Sequence, residues 1–127
     1  MNAEQTKIKG DDDVSKLIIA VDFDGTLCEN AWPDIGSPKI PVIEYVRRQK
    51  ETGAEIILWT NRTGQRLDEA VRWCREHGIE FDAVNENLTR MIKVFGSDPR
   101  KVYADIYLDD RMIPLPSKVN ARGRRRY

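Results

Sequence analysis

Apolar residues in this chain fall into short runs separated by polar loops. Leu17-Ile18-Ile19-Ala20-Val21 is continuous and rich in branched side chains, which predicts a buried β-strand. Ala54-Glu55-Ile56-Ile57-Leu58-Trp59 is mostly apolar and predicts a second strand. Ala104 to Leu108 predicts the last strong strand, and Ile79 to Val84 has room for a short one. Ile40, Ile43 and Val46, with Val42 beside them, mark the apolar face of a helix. Pro38 and Pro41 sit where that helix starts and Gly53 where it stops. Leu67, Ala70, Val71 and Cys74 follow the i, i+3, i+4, i+7 spacing of a second helix, closed by Gly78. Cys28 to Ser37 contains Asn30, Pro33, Asp34 and Gly36 and predicts a loop. Asn85 to Pro99 has room for one helical turn around Leu88 to Phe95, and Pro114 and Pro116 discourage regular structure beyond the last strand.

Strands that alternate with helices predict an α/β fold, paired in parallel through right-handed crossovers. That topology gathers the C-terminal ends of the strands on one edge, where open α/β sheets build their sites. The first strand ends in Asp22-Phe23-Asp24-Gly25-Thr26-Leu27, the second in Thr60-Asn61-Arg62-Thr63-Gly64, and the last in Asp109-Asp110. Turn residues would be enough for folding at these points. Crowded carboxylates instead repel unless a cation or a shared proton relieves them, so the pattern points to a metal site, an acid/base pair, or both.

Length and composition narrow the setting. A chain of 127 residues with 40% hydrophobic content suits one domain with one core. Its parts are predicted to be a disordered arm over 1–16, a core over 17–116 and a basic tail over 117–127. The arm holds Asp11-Asp12-Asp13, which an enclosing fold would have to surround before they bound a cation. Formal net charge is zero, so the whole chain carries no nucleic-acid signature. Its local exception is Arg122-Gly123-Arg124-Arg125-Arg126, for which a solvated terminus is the plain reading and a phosphate-rich partner the sharper one. Cys28 and Cys74 have no metal-type spacing and fit a reducing cytoplasm. No run is long enough to span a bilayer, so no membrane partner is expected.

These residues allow a definite chemistry. A carboxylate can attack phosphorus to give an aspartyl-phosphate. Mg²⁺ suits such a site, because it prefers oxygen ligands and bridges carboxylate to phosphate. Asp22 with one or both of Asp109 and Asp110 would supply ligands. Thr60 can donate to a phosphate oxygen, and a nearby lysine would offset remaining charge. Asp24, crowded by Asp22, can hold a proton for the leaving oxygen and take one later from water.

Asp22-Phe23-Asp24-Gly25-Thr26, Leu58-Trp59-Thr60-Asn61-Arg62 and Tyr107-Leu108-Asp109-Asp110 resemble motifs I, II and IV of the haloacid-dehalogenase superfamily, over roughly residues 17 to 112. The resemblance implies a three-layer α/β/α sandwich with a Rossmann-like, mostly parallel sheet. It implies Asp22 as nucleophile, Asp24 as general acid/base with its backbone carbonyl on Mg²⁺, and Thr60 on the phosphate. Either or both of Asp109 and Asp110 would meet the metal. For the motif III lysine, Lys101 is preferred on its spacing to Asp110, with Lys93 as rival. Asp24 favours phosphoryl chemistry over dehalogenation, since dehalogenating members lack it. The short spacings leave no room for a cap domain, so the chain resembles the capless branch. A capless site is open to large phosphorylated partners or to a neighbouring subunit. Trp32, Pro33, Asn61 and Arg62 are the expected substrate contacts, Arg62 for a second phosphate or carboxylate.

The leading expectation is therefore a Mg²⁺-dependent phosphomonoesterase. A catalytically weak phosphate-binding or regulatory module, and a nucleic-acid-end phosphatase, are the alternatives. His77 is expected to cap its helix or lie on the surface, Trp59 to pack beside the sheet, and Trp73 to be partly exposed. Cys28 is expected to pack near the motif I turn, where its thiol could also meet reagents. Asp105 is expected either near the site or at the turn before its strand.

Overall fold

The computed structural model describes residues 16–113 and 115; the arm up to residue 15 and the tail 117–127 lie outside that range. The fold is α/β. In chain order it runs β1 (Ile18–Val21), β2 (Cys28–Ala31), β3 (Asp34–Pro38), α1 (Ile40–Glu51), β4 (Glu55–Leu58), α2 (Gly64–Glu76), β5 (Ala83–Val84), α3 (Thr89–Phe95) and β6 (Ile106–Leu108). Among these residues no helix is long and apolar enough to cross a membrane.

The main sheet has four strands in the order β5-β4-β1-β6, and every pairing is parallel. β1 is central and wholly buried, as a continuous apolar run must be when both faces are covered. Its alternate residues feed two clusters. Ile19 and Val21 pack with Phe23, Ile43 and Val46 of α1, and Ala70 and Cys74 of α2. Ile18 and Ala20 pack with Ile57, Leu88, Met91 of α3, Val102 and Ala104.

Register fixes the functional edge. Val21 pairs with Leu58 on one side and Leu108 on the other. One step further, Asp22, Trp59 and Asp109 come level. The ladder continues into them: Asp22 N–H donates to Leu108 O at 2.9 Å and Trp59 N–H to Val21 O at 2.9 Å. The site therefore grows out of the hydrogen-bonded sheet rather than out of free loops.

One sequence expectation fails. Cys28 to Ser37 is not a loop but most of an antiparallel hairpin, β2 on β3, with Asn30 opposite Ile35 and Ala31 opposite Asp34. Its strands lack apolar alternation because most of their side chains face water, so the usual strand signal has nothing to record. Gly36 belongs there for space: an added Cβ would lie 2.8 Å from the carbonyl carbon of Glu29. The expected strand over Ile79 to Val84 shortens to Ala83–Val84, and the turn near Leu88 extends to the helix Thr89–Phe95.

The helix boundaries follow the expected signals. α1 opens with proline in its first turn, and Gly53 follows its cap Thr52 with φ +103°. α2 ends at the cap His77, whose Nδ1 lies 2.7 Å from Trp73 O, and Gly78 continues with φ +85°. Trp73 is half-buried and meets Phe23 edge-on at 5.5 Å.

Both cysteines are free and fully buried. Burial pushes the Cys28 thiol up and the Cys74 thiol up to about 12, and a protonated, buried thiol is a poor nucleophile. Cys28 is thus inert despite its closeness to the Asp22 turn. Ellman's reagent at pH 8 should titrate neither thiol in the native protein on the timescale of minutes, and both after denaturation. Rapid native reaction at either would contradict this packing.

Candidate active site

Directly after β1 the chain turns back on itself. Phe23 O accepts from the N–H groups of Thr26 (3.1 Å) and Leu27 (3.0 Å), and Gly25 N–H donates to Cys28 O at 2.8 Å. Gly25 has φ +87°, and a Cβ there would run into the Asp110 carboxylate. It is required both for its left-handed backbone and for the space it leaves.

Thr26 joins the two acidic segments. Its hydroxyl accepts the Asp110 N–H at 3.0 Å and donates to Asp22 Oδ2 at 3.1 Å. The result is a cluster in which one carboxylate oxygen from each of Asp22, Asp109 and Asp110 lies within 4.8 Å of the others. Asp109 also accepts the Arg111 N–H at 2.9 Å. Burial raises the Asp22 carboxyl to about 6, and the negative charge of Asp109 adds to this. The Phe23 backbone and the Thr26 hydroxyl pull the other way.

The donor set fits a hard divalent cation. It is made of oxygen alone, and opposite oxygens around an octahedral Mg²⁺ stand about 4.2 Å apart, which this cluster can span.

Asp24 is placed differently. Its side chain points to Arg62, with Nε to Oδ2 at 2.8 Å and Nη2 to Oδ1 at 2.7 Å. Arg62 is only 1% exposed. Its remaining N–H groups go to backbone carbonyls, Asp34 at 2.8 Å, Pro33 at 3.3 Å and Arg66 at 3.5 Å. The guanidinium lies 5.0 Å from both the Phe23 and the Trp32 ring centroids. The hydrogen bonds to Asp24 raise its pKa further. The expectation of Arg62 as a contact for a second phosphate or carboxylate meets a different arrangement: every donor is committed within the protein. Arg62 positions Asp24 and ties down the tip of the β2–β3 hairpin.

Thr60 and Asn61 follow β4 and line the concavity with Asp22 and Asp109. Thr60 N–H donates to Asn85 Oδ1 at 2.8 Å, and Thr60 Oγ1 accepts the Arg62 N–H at 3.1 Å. Among the described residues the Thr60 hydroxyl hydrogen has no acceptor. Lys101 shares a hollow with Asp22, Trp59, Tyr107 and Asp109, its Nζ 5.5 Å from the Tyr107 centroid. Lys93 is exposed on α3 and lines none of the hollows around Asp22. Asp105 lies at the opposite end of the sheet, where its carboxylate accepts the Ile18 N–H at 2.8 Å.

Sequence reasoning missed three supporting residues. Lys39 Nζ donates to Gly25 O at 2.7 Å, with no local signal beyond a lysine before a helix. Asn85 adopts φ 56° while holding Thr60, a conformation for which asparagine is enriched. Thr26 stood inside the quoted motif, but its role became visible only when Asp110 came to it through the fold.

A parallel α/β sheet with a carboxylate cluster at its C-terminal edge defines the class of site. No protein-family model matches the chain, and no curated protein matches it. A solved structure of a conserved protein from Bacteroides thetaiotaomicron is similar, with a TM-score of 0.68 and 39% identity, covering 79% of this chain and 83% of that one. This chain belongs to the same family as that protein. The relative is described by its conservation alone, so the likeness brings a fold and a family without naming a reaction.

Two outcomes follow from the geometry. With its folded pKa near 6 and an unfolded value of about 3.9, Asp22 favours folding most below about pH 4. That contribution is lost as pH rises through about 6. In chelator, Asp22→Asn should therefore be more stable than wild type at pH 7.5 by about 1–2 kcal/mol, discounted for a half-exposed group, and should lose that advantage at pH 4. Urea melts at the two pH values read the difference, and equal wild-type and variant stability at pH 7.5 would contradict it. Separately, Arg62→Lys keeps the charge but loses the fork, and should cost about 3 kcal/mol in urea unfolding; a loss below about 0.5 kcal/mol would show that the clamp carries little.

Proposed function

We propose that this chain is a Mg²⁺-dependent phosphomonoesterase of the haloacid-dehalogenase type, working through an aspartyl-phosphate on Asp22. We further read its layers as a capless three-layer α/β/α sandwich with a Rossmann-like sheet. The observation that carries the proposal is the cluster of Asp22, Asp109 and Asp110 at the end of the central strand. The two core clusters on opposite sides of β1 support the layered reading, and the small hairpin between β1 and α1 supports the absence of a cap.

Asp22, Asp109 and Asp110 would hold the cation, with the Asp24 backbone carbonyl as the further ligand that the motif implies. When bound, the metal neutralises charge between the carboxylates and the phosphoryl oxygens. Asp22 attacks phosphorus as the bond to the leaving oxygen breaks. Thr60 donates its free hydroxyl hydrogen to a phosphoryl oxygen, Lys101 supplies positive charge from the hollow beside Asp22, and Asn61 offers its exposed amide.

Asp24 gives its proton to the leaving oxygen, then takes one from the water that cleaves the aspartyl-phosphate. Its bond to Arg62 leaves a site for that proton. Each carboxylate oxygen has a second lone pair, and Arg62 uses one on each. The clamp instead fixes the direction in which the remaining lone pairs point.

Hydrolysis of p-nitrophenyl phosphate should require Mg²⁺ and stop in EDTA. Asp22→Asn should bring turnover to background, and Asp24→Asn should lower kcat by about 10²–10⁴-fold. Metal-independent turnover, or full activity in Asp22→Asn, would overturn the proposal.

A further inference from the structure

Asp22 lines three hollows, and the two larger ones differ in their walls. Trp59, Lys101, Tyr107 and Met112 help wall one of about 290 Å³. Asp24, Trp32, Asn61 and Arg111 help wall another of about 310 Å³. They are not equivalent, because Asp24 lines only the second. A leaving oxygen must come within hydrogen-bond reach of its acid. The leaving group of the proposed reaction therefore lies on the side of Trp32.

Trp32 is 57% exposed. A single exposed apolar side chain needs no explanation in itself. This one is held in place: its ring sits 5.0 Å from the Arg62 guanidinium, which also sits 5.0 Å from the Phe23 ring. Phe23, Arg62 and Trp32 form a chain of contacts from the core to the rim of the hollow. An aromatic plane fixed in advance spares a ligand much of the ordering cost of stacking on it. The volume suits a phosphate with an adjoining ring system. Around it, Asn61 offers an amide donor and acceptor, and Arg111 a cation.

We propose that the site selects nucleoside 5′-monophosphates, with the base stacked on the outer face of Trp32. The inference rests on the phosphomonoesterase reading and adds the identity of the leaving group. The 5′-oxygen of the nucleoside departs as the bond from Asp22 to phosphorus forms, and it takes the proton of Asp24. Water then displaces phosphate from Asp22 and returns a proton to Asp24, so the products are nucleoside and inorganic phosphate.

Adenosine 5′-monophosphate and ribose 5-phosphate share the phosphate and the pentose and differ in the base. With Mg²⁺, wild-type protein should favour the nucleotide in kcat/KM by roughly tenfold or more, the range of base–aromatic stacking. Trp32→Ala should reduce that ratio toward one, chiefly through KM, and Trp32→Phe should keep most of it. A wild-type ratio near one, or a ratio that survives Trp32→Ala, overturns the inference while hydrolysis of both esters leaves the phosphatase reading standing. Tryptophan fluorescence of Asp22→Asn titrated with adenosine 5′-monophosphate reads stacking without turnover. Quenching that disappears with Trp32→Phe, in a protein that hydrolyses no phosphomonoester, upholds the stacking site and removes the phosphatase reading. Absence of both quenching and hydrolysis overturns both.

Discussion

Four carboxylates meet at one edge of the sheet, and their mutual repulsion is the constraint to which the surrounding structure answers. Two unit charges about 4 Å apart repel by about 4 kcal/mol near a protein surface. Asp24 is removed from the problem by Arg62, which takes both of its oxygens. Asp22, half-buried, receives the Thr26 hydroxyl and holds its proton more tightly than a free carboxyl. Asp109 and Asp110 remain near water, the first with the Arg111 N–H. What is left is a three-carboxylate cluster with no side-chain cation bonded to it among the described residues. The fold thus tolerates a local destabilisation at the place where the proposed metal would bind, a compromise typical of functional sites.

The edge itself is set by parallel register. Because Val21 faces both Leu58 and Leu108, the acidic residues that follow β1 and β6 must emerge side by side, with Thr60 just beyond β4. A slip of one residue would turn Asp22 to the opposite face of the sheet and break the cluster. Gly25 then has to reverse the chain while leaving room for the Asp110 carboxylate. Thr26, buried beneath the site, converts that close approach into hydrogen bonds that link two segments distant in sequence.

Much of this is legible in the amino-acid sequence. β1 and β4 announced themselves as apolar runs, and the turn chemistry after each of them marked the site edge. Gly53 and Gly78 stopped α1 and α2 as their positions implied. The β2–β3 hairpin was illegible because its strands bury little: a pattern read from burial has no purchase on an exposed ribbon with Asn30, Pro33 and Gly36 along it. The burial of Arg62 is hidden from the sequence for a related reason. An arginine after a polar strand end reads as a surface cation, and its burial depends on Asp24, Pro33 and Asp34 arriving from elsewhere. Contacts that span the fold, such as Thr26 with Asp110 or Asn85 with Thr60, leave no periodic trace at either end.

Arg62 also explains how so small a hairpin can belong to a site. Two strands alone are marginal in water, and the outer parts of β2 and β3 contribute little to the core. Their tip is held by hydrogen bonds from Arg62 to Pro33 O and Asp34 O, with Trp32 laid against the same guanidinium. Since the other edge of that guanidinium holds Asp24, hairpin and carboxylate share one anchor. A hairpin that lifted away would strip partners from a buried cation and loosen the orientation of Asp24 with it, which couples the wall of the hollow to the group proposed to move the proton. A ligand resting on Trp32 would press on the same anchor and favour the aligned arrangement. In the proposed reaction, selection of the substrate and alignment of the acid would then become one equilibrium.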